Sequence, residues 1–441
     1  MRGWSWIVVV GMSVAAGASA QDVTGFVDQQ LPGLVATYKG LHGAPELSHH
    51  EAKTSAMVAG ELRKAGYTVT ERVGRYPDGS QAYGVVGILK NGAGPTLLIR
   101  ADMDALPVTE ATGLPYASKV RSTNPAGQDV GVMHACGHDI HVTTLIGVAR
   151  AMAALKGQWH GTLMLVGQPS EETIDGAKAM MADRLYERFG RPDMAIALHD
   201  SPIPAGQVAV VPGPALASST SIDVVMRGVG SHGSAPEAGK DPIVMAGEFI
   251  TQVQTVVSRS VPPQQPAVVT IGTIHGGTKR NIIPEEVKME LTTRSYSEAV
   301  RQTIIKGVER TARGVAIAAG APENRMPVVT VLDGESTPPM INDVELSARL
   351  QKLFVAKLGA EHVIEVKPIM GSEDFGVFSM NEKIPAVIFW LGADDPAVYA
   401  ENQRKGVAMP SLHSPLFAPV PEPTLRTGIT AMTDAALELL K

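Results

Sequence analysis

A short stretch, residues 133–141, holds the single cysteine of the chain and three of its twelve histidines. Cys136 and His138 are separated by one glycine, so in extended backbone their side chains point to the same side and can bind one metal ion. A buried reduced thiol beside incidental histidines is an alternative interpretation of the same residues. The pair therefore predicts a metal site only if other parts of the chain supply further ligands.

Two adjacent glutamates, Glu171 and Glu172, have the chemistry that a hydrolase needs beside such a metal. One carboxylate can bind the ion while the other takes a proton from a metal-activated water, whose pKa falls toward about 7, and passes it to the departing amine. The alternative is a solvated first helical turn, where acidic residues are favoured.

Asp102 and Asp104 follow a predicted strand and could bind metal or orient a metal-binding histidine. An Asx turn closed by Pro107 explains this pair equally well.

Short apolar runs bounded by glycine alternate with helical patterns in the first half of the chain. The predicted strands lie at residues 83–89, 95–99, 161–167 and 194–198, and the predicted helices lie at residues 140–155 and 177–188. This alternation predicts an α/β fold whose main domain has a mostly parallel sheet flanked by helices. Ligands bind at the carboxyl ends of such strands, and we expect the four residues at or near such ends to lie together, namely His138, Glu171, Glu172 and His199.

The segments that precede and follow these strands are predicted to be helical. Residues 22–72 show helical spacing, and we expect the helix at 140–155 to be amphipathic and capped by Asp139. His42, His49 and His50 have no evident partner in the sequence. Solvated or capping roles are therefore expected for these three histidines.

A different pattern begins near residue 213. Strands at 221–227, 267–274 and 287–294 alternate with helices at 242–258 and 298–319, which indicates a smaller α+β domain. We therefore expect an inserted domain at residues 213–326. The catalytic, metal-binding domain is then formed by residues 21–212 and 327–441.

The first twenty residues have the pattern of a cleaved secretory signal, with an apolar run followed by small residues up to Ala20. We therefore expect export to the periplasm or the medium. No later segment approaches the roughly 20 apolar residues of a membrane span. The net charge of −6 comes from interspersed charges without a basic stripe, so nucleic acid is not an expected partner.

Three competing kinds of site are disfavoured by the sequence. Residues 228–233 match the glycine pattern of a dinucleotide site, but Pro236 and Pro242 follow where a helix should begin. The chain contains no Gly-x-Ser-x-Gly nucleophile elbow. A nucleophilic Cys136 with His138 as its base is disfavoured because a residue two positions away cannot easily face the thiol.

Taken together, these residues resemble the M20 metallopeptidase family, and more closely its amidohydrolase branch of hippurate and indoleacetyl-amino-acid hydrolases. The resemblance covers nearly all of the mature chain. Segments typical of the branch occur in the same order, at residues 41–47, 100–107, 134–139, 168–172, 281–284 and 371–375, and at His199, His232 and His413.

The resemblance implies a site for two divalent metal ions. Cys136 would bridge both ions, His138 and His199 would bind one, and Glu172 and His413 would bind the other. Zinc suits these donors best, with manganese, cobalt or nickel as alternatives.

The resemblance also implies the catalytic groups. Glu171 would be the general base and acid, while Asp102 and Asp104 would orient metal-bound histidines. In this family the inserted domain dimerises and closes over the substrate, and its histidine reaches the partner subunit's site to stabilise the oxyanion. That histidine matches His232, so a homodimer or larger homo-oligomer is expected.

Three further residues match substrate contacts of the family, namely Asn281, Arg294 and Gly371. The guanidinium of Arg294 suits a carboxylate, which it can bind through two hydrogen bonds. The implied reaction is hydrolysis of the amide bond of N-acyl or N-aroyl amino acids. A dipeptidase or carboxypeptidase of the same family is one alternative, and a non-catalytic metal- or ligand-binding protein is another.

Overall fold

The computed structural model describes residues 22–124 and 126–441. The predicted signal at residues 1–20 lies outside the described residues, so its cleavage and the export of the chain stay predictions. Among the described helices, none has the length and apolar character that a membrane crossing requires.

The described residues form alternating strands and helices. The strands are β1 Thr68–Arg75, β2 Gln81–Asn91, β3 Thr96–Asp102, β4 Arg121–Thr123, β5 Asp129–Gly131, β6 Gly161–Gln168, β7 Met194–Pro204, β8 Val208–Val210, β9 Gly213–Leu216, β10 Ser218–Arg227, β11 Ser231–His232, β12 Ala267–Gly276, β13 Ile282–Ile283, β14 Glu286–Ser295, β15 Val328–Thr337, β16 Met340–Asn342 and β17 Ala386–Asp394. The α-helices are α1 Val23–His42, α2 Ala52–Lys64, α3 His138–Ala154, α4 Gly176–Ala182, α5 Leu185–Phe189, α6 Pro242–Thr255, α7 Glu298–Ala318, α8 Val344–Leu358, α9 Pro396–Lys405 and α10 Pro421–Leu439.

The main sheet has seven strands in the order β1-β2-β6-β3-β7-β17-β8. The central strands β6, β3, β7 and β17 run parallel to one another, whereas β1, β2 and β8 join antiparallel at the two edges. The α/β class is confirmed, but the sheet is mixed, and the parallel arrangement is limited to its centre. The helical interpretation of residues 68–72 is wrong, because these residues belong to the edge strand β1.

Helices cover both faces of the main sheet. One face packs against α1, α2, α3, α8 and α10, and the other packs against α4 and α5. Helix α3 is buried along almost its whole length and circumference, because it lies between the sheet and the helices α1 and α10. The prediction of an amphipathic α3 is therefore wrong, since a helix covered on all sides carries no polar face.

A second, antiparallel sheet has the order β12-β14-β10-β15 and packs against α6 and α7 with a core of its own. We call this unit the smaller sheet. Its last strand, β15, pairs residues Val328 to Leu332 with β10. The smaller sheet therefore reaches Thr337 and includes residues beyond the boundary at 326 that the sequence predicted. The chain leaves and re-enters the main unit through β9 and β16, which pair with each other.

Candidate metal centre

The five predicted metal ligands come together at one end of the main sheet. Cys136 Sγ lies 3.6 Å from His199 Nε2 and 3.3 Å from His413 Nε2. Glu172 Oε1 lies 3.8 Å from His138 Nε2, and Glu172 Oε2 lies 3.5 Å from His413 Nε2. His199 lies in β7 and Glu172 follows β6, as the strand pattern predicted, whereas His138 is the first residue of α3 and His413 lies in a loop. We call this set of residues the ligand cluster.

The turn that carries Cys136 depends on a glycine. Gly137 has a φ of 74° and precedes the first residue of α3, and a Cβ atom there would lie 1.8 Å from Asp200 Oδ2. Any other residue would collide with this carboxylate. Gly137 is also the N-cap position of α3, so the prediction that Asp139 caps the helix is wrong.

Hydrogen bonds aim the two buried histidines at the centre of the cluster. His138 Nδ1 donates to the backbone carbonyl of Asp104 at 2.9 Å, and His199 Nδ1 donates to that of Asp200 at 2.7 Å. Each ring therefore presents its Nε2 atom, as metal-binding histidines do. Within the described chain, His138 Nε2 and Glu172 Oε1 are buried without a hydrogen-bond partner. A divalent ion would satisfy both atoms, so the residues fit the predicted metal.

Charge in the cluster also fits a bound cation. Burial raises the pKa of Glu171 well above its ordinary value, and repulsion from Glu373 and Glu172 adds to this effect. Burial likewise raises the pKa of the Cys136 thiol, which also faces the two glutamates. Divalent cations would reverse these shifts by stabilising the thiolate and the carboxylates.

The predicted general base lies beside the ligands. Glu171 Oε2 is 3.9 Å from His138 Nε2, and the side chain is buried. Asp104 holds this segment in place, because its carboxylate accepts hydrogen bonds from the backbone N–H groups of Glu171 and Glu172 at 3.1 and 3.0 Å. The same carboxylate lies 3.3 Å from His138 Nδ1. Asp104 therefore occupies the orienting position that was predicted for it.

Asp102 differs from Asp104 in its contacts. Its carboxylate lies 2.6 Å from His141 Nδ1 and 2.5 Å from Arg100 Nη1. It also approaches the free Nε2 atom of His138 to 3.7 Å. Of these two histidines, only His141 is within hydrogen-bond distance of Asp102, so His141 is the one that Asp102 orients. His141 Nε2 in turn accepts a hydrogen bond from the backbone N–H of Asp200 at 2.9 Å.

The largest omission of the sequence interpretation is Arg100. This side chain is fully buried and lies 2.6 Å from Glu373 and 3.3 Å from Asp374, in addition to Asp102. Gln168 accepts a further hydrogen bond from Arg100 Nε at 2.8 Å. The signal was present in the sequence, because a single arginine interrupts the apolar strand β3. A charge at such a position is almost always paired.

His42 is another residue whose role was missed. It was expected to be solvated or to cap a helix, but it is fully buried. Its Nδ1 lies 2.7 Å from Asp139 and its Nε2 lies 3.1 Å from Glu110. Burial lowers the pKa of His42, but Asp139 and Glu110 outweigh this and raise it to about 9. The protonated ring therefore joins the end of α1 to the beginning of α3.

The four remaining predicted site residues make their hydrogen bonds outside the ligand cluster. The exposed His232 and Asn281 are neighbours on the β11–β13 ribbon, where Gly233 N–H donates to Asn281 O at 2.9 Å. Arg294 on β14 donates a hydrogen bond to Ser219. In the described part of this chain, no hydrogen bond or ion pair connects His232, Asn281 or Arg294 to the ligand cluster.

Gly371 occupies a different place, at the junction of the two sheets. Its carbonyl accepts a hydrogen bond from Ala217 N–H at 2.8 Å. Ala217 lies between β9 and β10, where the chain passes from the main unit to the smaller sheet. Contact of Gly371 with substrate stays a prediction.

The ligand cluster combines one thiol, three imidazoles and the carboxylate of Glu172, and a second carboxylate, that of Glu171, lies beside it. These groups define the site of a metal-dependent hydrolase. Comparison with known proteins agrees with this class. The chain belongs to Peptidase family M20/M25/M40, whose sequence profile matches residues 98–406.

Relatives with known names support the predicted branch of this family. The chain is 36% identical over 349 residues to the hippurate hydrolase of Campylobacter jejuni, covering 78% of this chain and 84% of that protein. It is 32% identical over 417 residues to IAA-amino acid hydrolase ILR1-like 2 of Arabidopsis thaliana, covering 92% and 85%. The crystal structure of the Bacillus subtilis YXEP protein, described as a dinuclear metal binding peptidase from the M20 family, has a TM-score of 0.74 at 28% identity and covers 94% and 99% of the two chains. The resemblance inferred from the sequence is thus confirmed.

Proposed function

We propose that this protein hydrolyses the amide bond of N-acyl or N-aroyl amino acids, with two divalent ions held by Cys136, His138, Glu172, His199 and His413. The observation that carries the proposal is the position of Glu171 beside His138 Nε2 and Glu172 Oε1, since both of these atoms are buried without a hydrogen-bond partner within the described chain. Similarity to hydrolases of hippurate and of IAA-amino acids supports this substrate class.

Bound divalent ions would supply Lewis acidity, which polarises a carbonyl and lowers the pKa of water toward about 7. Glu171 is placed to accept the proton of the attacking water and to deliver it to the amine nitrogen as the amide bond breaks. Asp104 orients Glu171 through the backbone of the glutamate pair. Burial keeps bulk water away from Glu171, which favours transfer of the proton to the amine.

A substrate panel tests the proposed reaction. The metal-loaded protein should release glycine from N-benzoylglycine and free amino acids from N-acetyl amino acids, and it should act more slowly on dipeptides with a free amine. Chelation with EDTA should abolish the activity, and zinc or manganese should restore it. Metal content is measured on the same preparation. Cleavage of free-amine dipeptides alone would indicate a dipeptidase or carboxypeptidase, and metal binding without any hydrolysis would indicate a binding protein.

We further propose a homodimer in which His232 completes the partner subunit's site. The exposed position of His232 on the ribbon supports this, as does the lack of any hydrogen bond or ion pair to the ligand cluster in the described residues of its own chain. His232→Ala and Glu171→Gln should each lose most of their activity. When the two variants are mixed and exchange subunits, each mixed dimer should regain one complete site, which assays of turnover would detect. No recovery after demonstrated exchange would contradict the shared site.

A further inference from the structure

An apolar pocket opens beside the ligand cluster. Its cavity of about 250 Å³ is lined by the apolar side chains of Pro202, Val366, Ile369, Trp390 and Leu412, together with Ser201, Ser411 and the exposed Lys367. These residues come from β7, β17, the 406–420 loop and the segment after α8, all of which belong to the main unit. None of the residues named above as ligands or catalytic groups lines this pocket.

The position of the pocket connects it to the metal centre. Leu412 directly precedes His413, and Pro202 lies on the same strand as His199. The ring of Trp390 packs against the ring of His199, with centroids 5.7 Å apart. A substrate whose carbonyl reaches His199 and His413 therefore has this apolar surface next to its scissile bond.

The size and chemistry of the pocket indicate which kind of ligand group it can bind. A cavity of roughly 150 Å³ lined by apolar side chains is large enough to bind benzene, so the volume of about 250 Å³ accommodates one aromatic ring and its linking carbon. Ile369 is 41% exposed, so its side chain is accessible to a ligand in the pocket. Its backbone N–H donates to Ala215 O at 3.1 Å, so the wall of the pocket is fixed in advance of binding.

We propose that this pocket binds the acyl group of the substrate and selects benzoyl and phenylacetyl groups over acetyl. This inference rests on the proposed amidohydrolase function. The acyl side of the amide is assigned because the pocket lies wholly on the main unit, whereas Arg294, the residue suited to the amino-acid carboxylate, lies on the smaller sheet. Ile369, Trp390 and Leu412 are then specificity-determining residues.

The test fills the pocket and measures selectivity. In Ile369→Trp, the ratio of kcat/KM for N-benzoylglycine to that for N-acetylglycine should fall about tenfold or more, because loss of one apolar contact already costs roughly 10-fold or more. A second series, N-acetyl amino acids with different side chains, should keep its order of preference. Val344→Trp is the matched control, since Val344 is 63% exposed at the beginning of α8, outside the pocket, and this variant should keep the wild-type ratio.

Each result has a defined meaning. If the wild-type protein cleaves no N-acyl amino acid, the proposed function itself fails. If it cleaves them and Ile369→Trp leaves the benzoyl-to-acetyl ratio unchanged, the pocket assignment is overturned. A change in the amino-acid series instead would overturn the acyl assignment. If Ile369→Trp melts at a much lower temperature, Ile369→Ala decides, because the enlarged pocket should raise kcat/KM for N-naphthoylglycine relative to N-benzoylglycine, and no such rise would contradict the proposal.

Discussion

Glu171→Gln should keep the bound metal and lower kcat by about 10²–10⁴-fold, the usual contribution of a general acid–base group. Glutamine has nearly the same shape as glutamate but cannot accept the proton of water. The fold should tolerate the change, because burial and the neighbouring carboxylates already raise the pKa of Glu171 and disfavour its charge. Turnover of N-benzoylglycine and metal content by mass spectrometry are the two measurements.

Glu172→Gln is the matched control for this variant. It removes a carboxylate of the same size at the adjacent position, but one that lies 3.5 Å from His413 Nε2 within the ligand cluster. We expect this variant to lose metal as well as activity, because a neutral amide is a weaker ligand than a carboxylate. Activity of Glu171→Gln within a few-fold of wild type would contradict the base assignment, and so would an equal loss of metal in the two variants.

Arg100→Leu should lower the free energy of unfolding by about 3–5 kcal/mol, the usual effect of removing one partner of a buried ion pair. Arg100 contacts Asp102, Glu373 and Asp374, and all of these side chains are fully buried or nearly so. Without the guanidinium, the carboxylates would remain charged in an apolar environment or take up protons. Denaturant unfolding of the metal-free protein at neutral pH measures the effect without a contribution from bound ions.

The pH dependence of this loss has a defined sign. Arg100 lowers the pKa of the Asp102 and Asp374 carboxyl groups in the folded state, so its removal raises these two pKa values there but leaves them ordinary in the unfolded state. The folded variant is then destabilised above the unfolded pKa of about 4, and the deficit relative to wild type should narrow as the pH falls toward that value. Arg63→Leu is the control, because the exposed pair of Arg63 and Glu71 should contribute at most about 1 kcal/mol. An Arg100→Leu variant as stable as Arg63→Leu would contradict the proposed role of Arg100.

Much of the main unit could be predicted from local patterns. The strands β3, β6 and β7 were recognisable as continuous apolar runs, because both faces of a central parallel strand are covered by helices. The residues at their ends could then be assigned to one edge of the sheet by a general rule of such folds. The edge strand β1 was missed, because its alternation is irregular where two register shifts interrupt its pairing with β2.

The metal ligands were predictable for a related reason. Cys136 and His138 are close in sequence, Glu172 lies shortly after a predicted strand, and His199 directly follows one. Their side chains are of types that bind metal ions, so this chemistry could be inferred without knowledge of their surroundings in the fold. His413 lies in a loop without any local signal, and it could be assigned only through the resemblance to a family. The loop reaches the cluster because His413 N–H donates to Ala135 O at 2.8 Å.

Local hydrophobic periodicity and side-chain chemistry were enough to predict the α/β class, the central strands and the types of residue available for metal binding. The pairing of the buried charges became visible only in the folded chain. Arg100 and Glu373 are separated by 273 positions, and His42 and Asp139 by 97. Such pairs form because burial makes an isolated charge costly, and the identity of the partner depends on which distant segments the fold brings together.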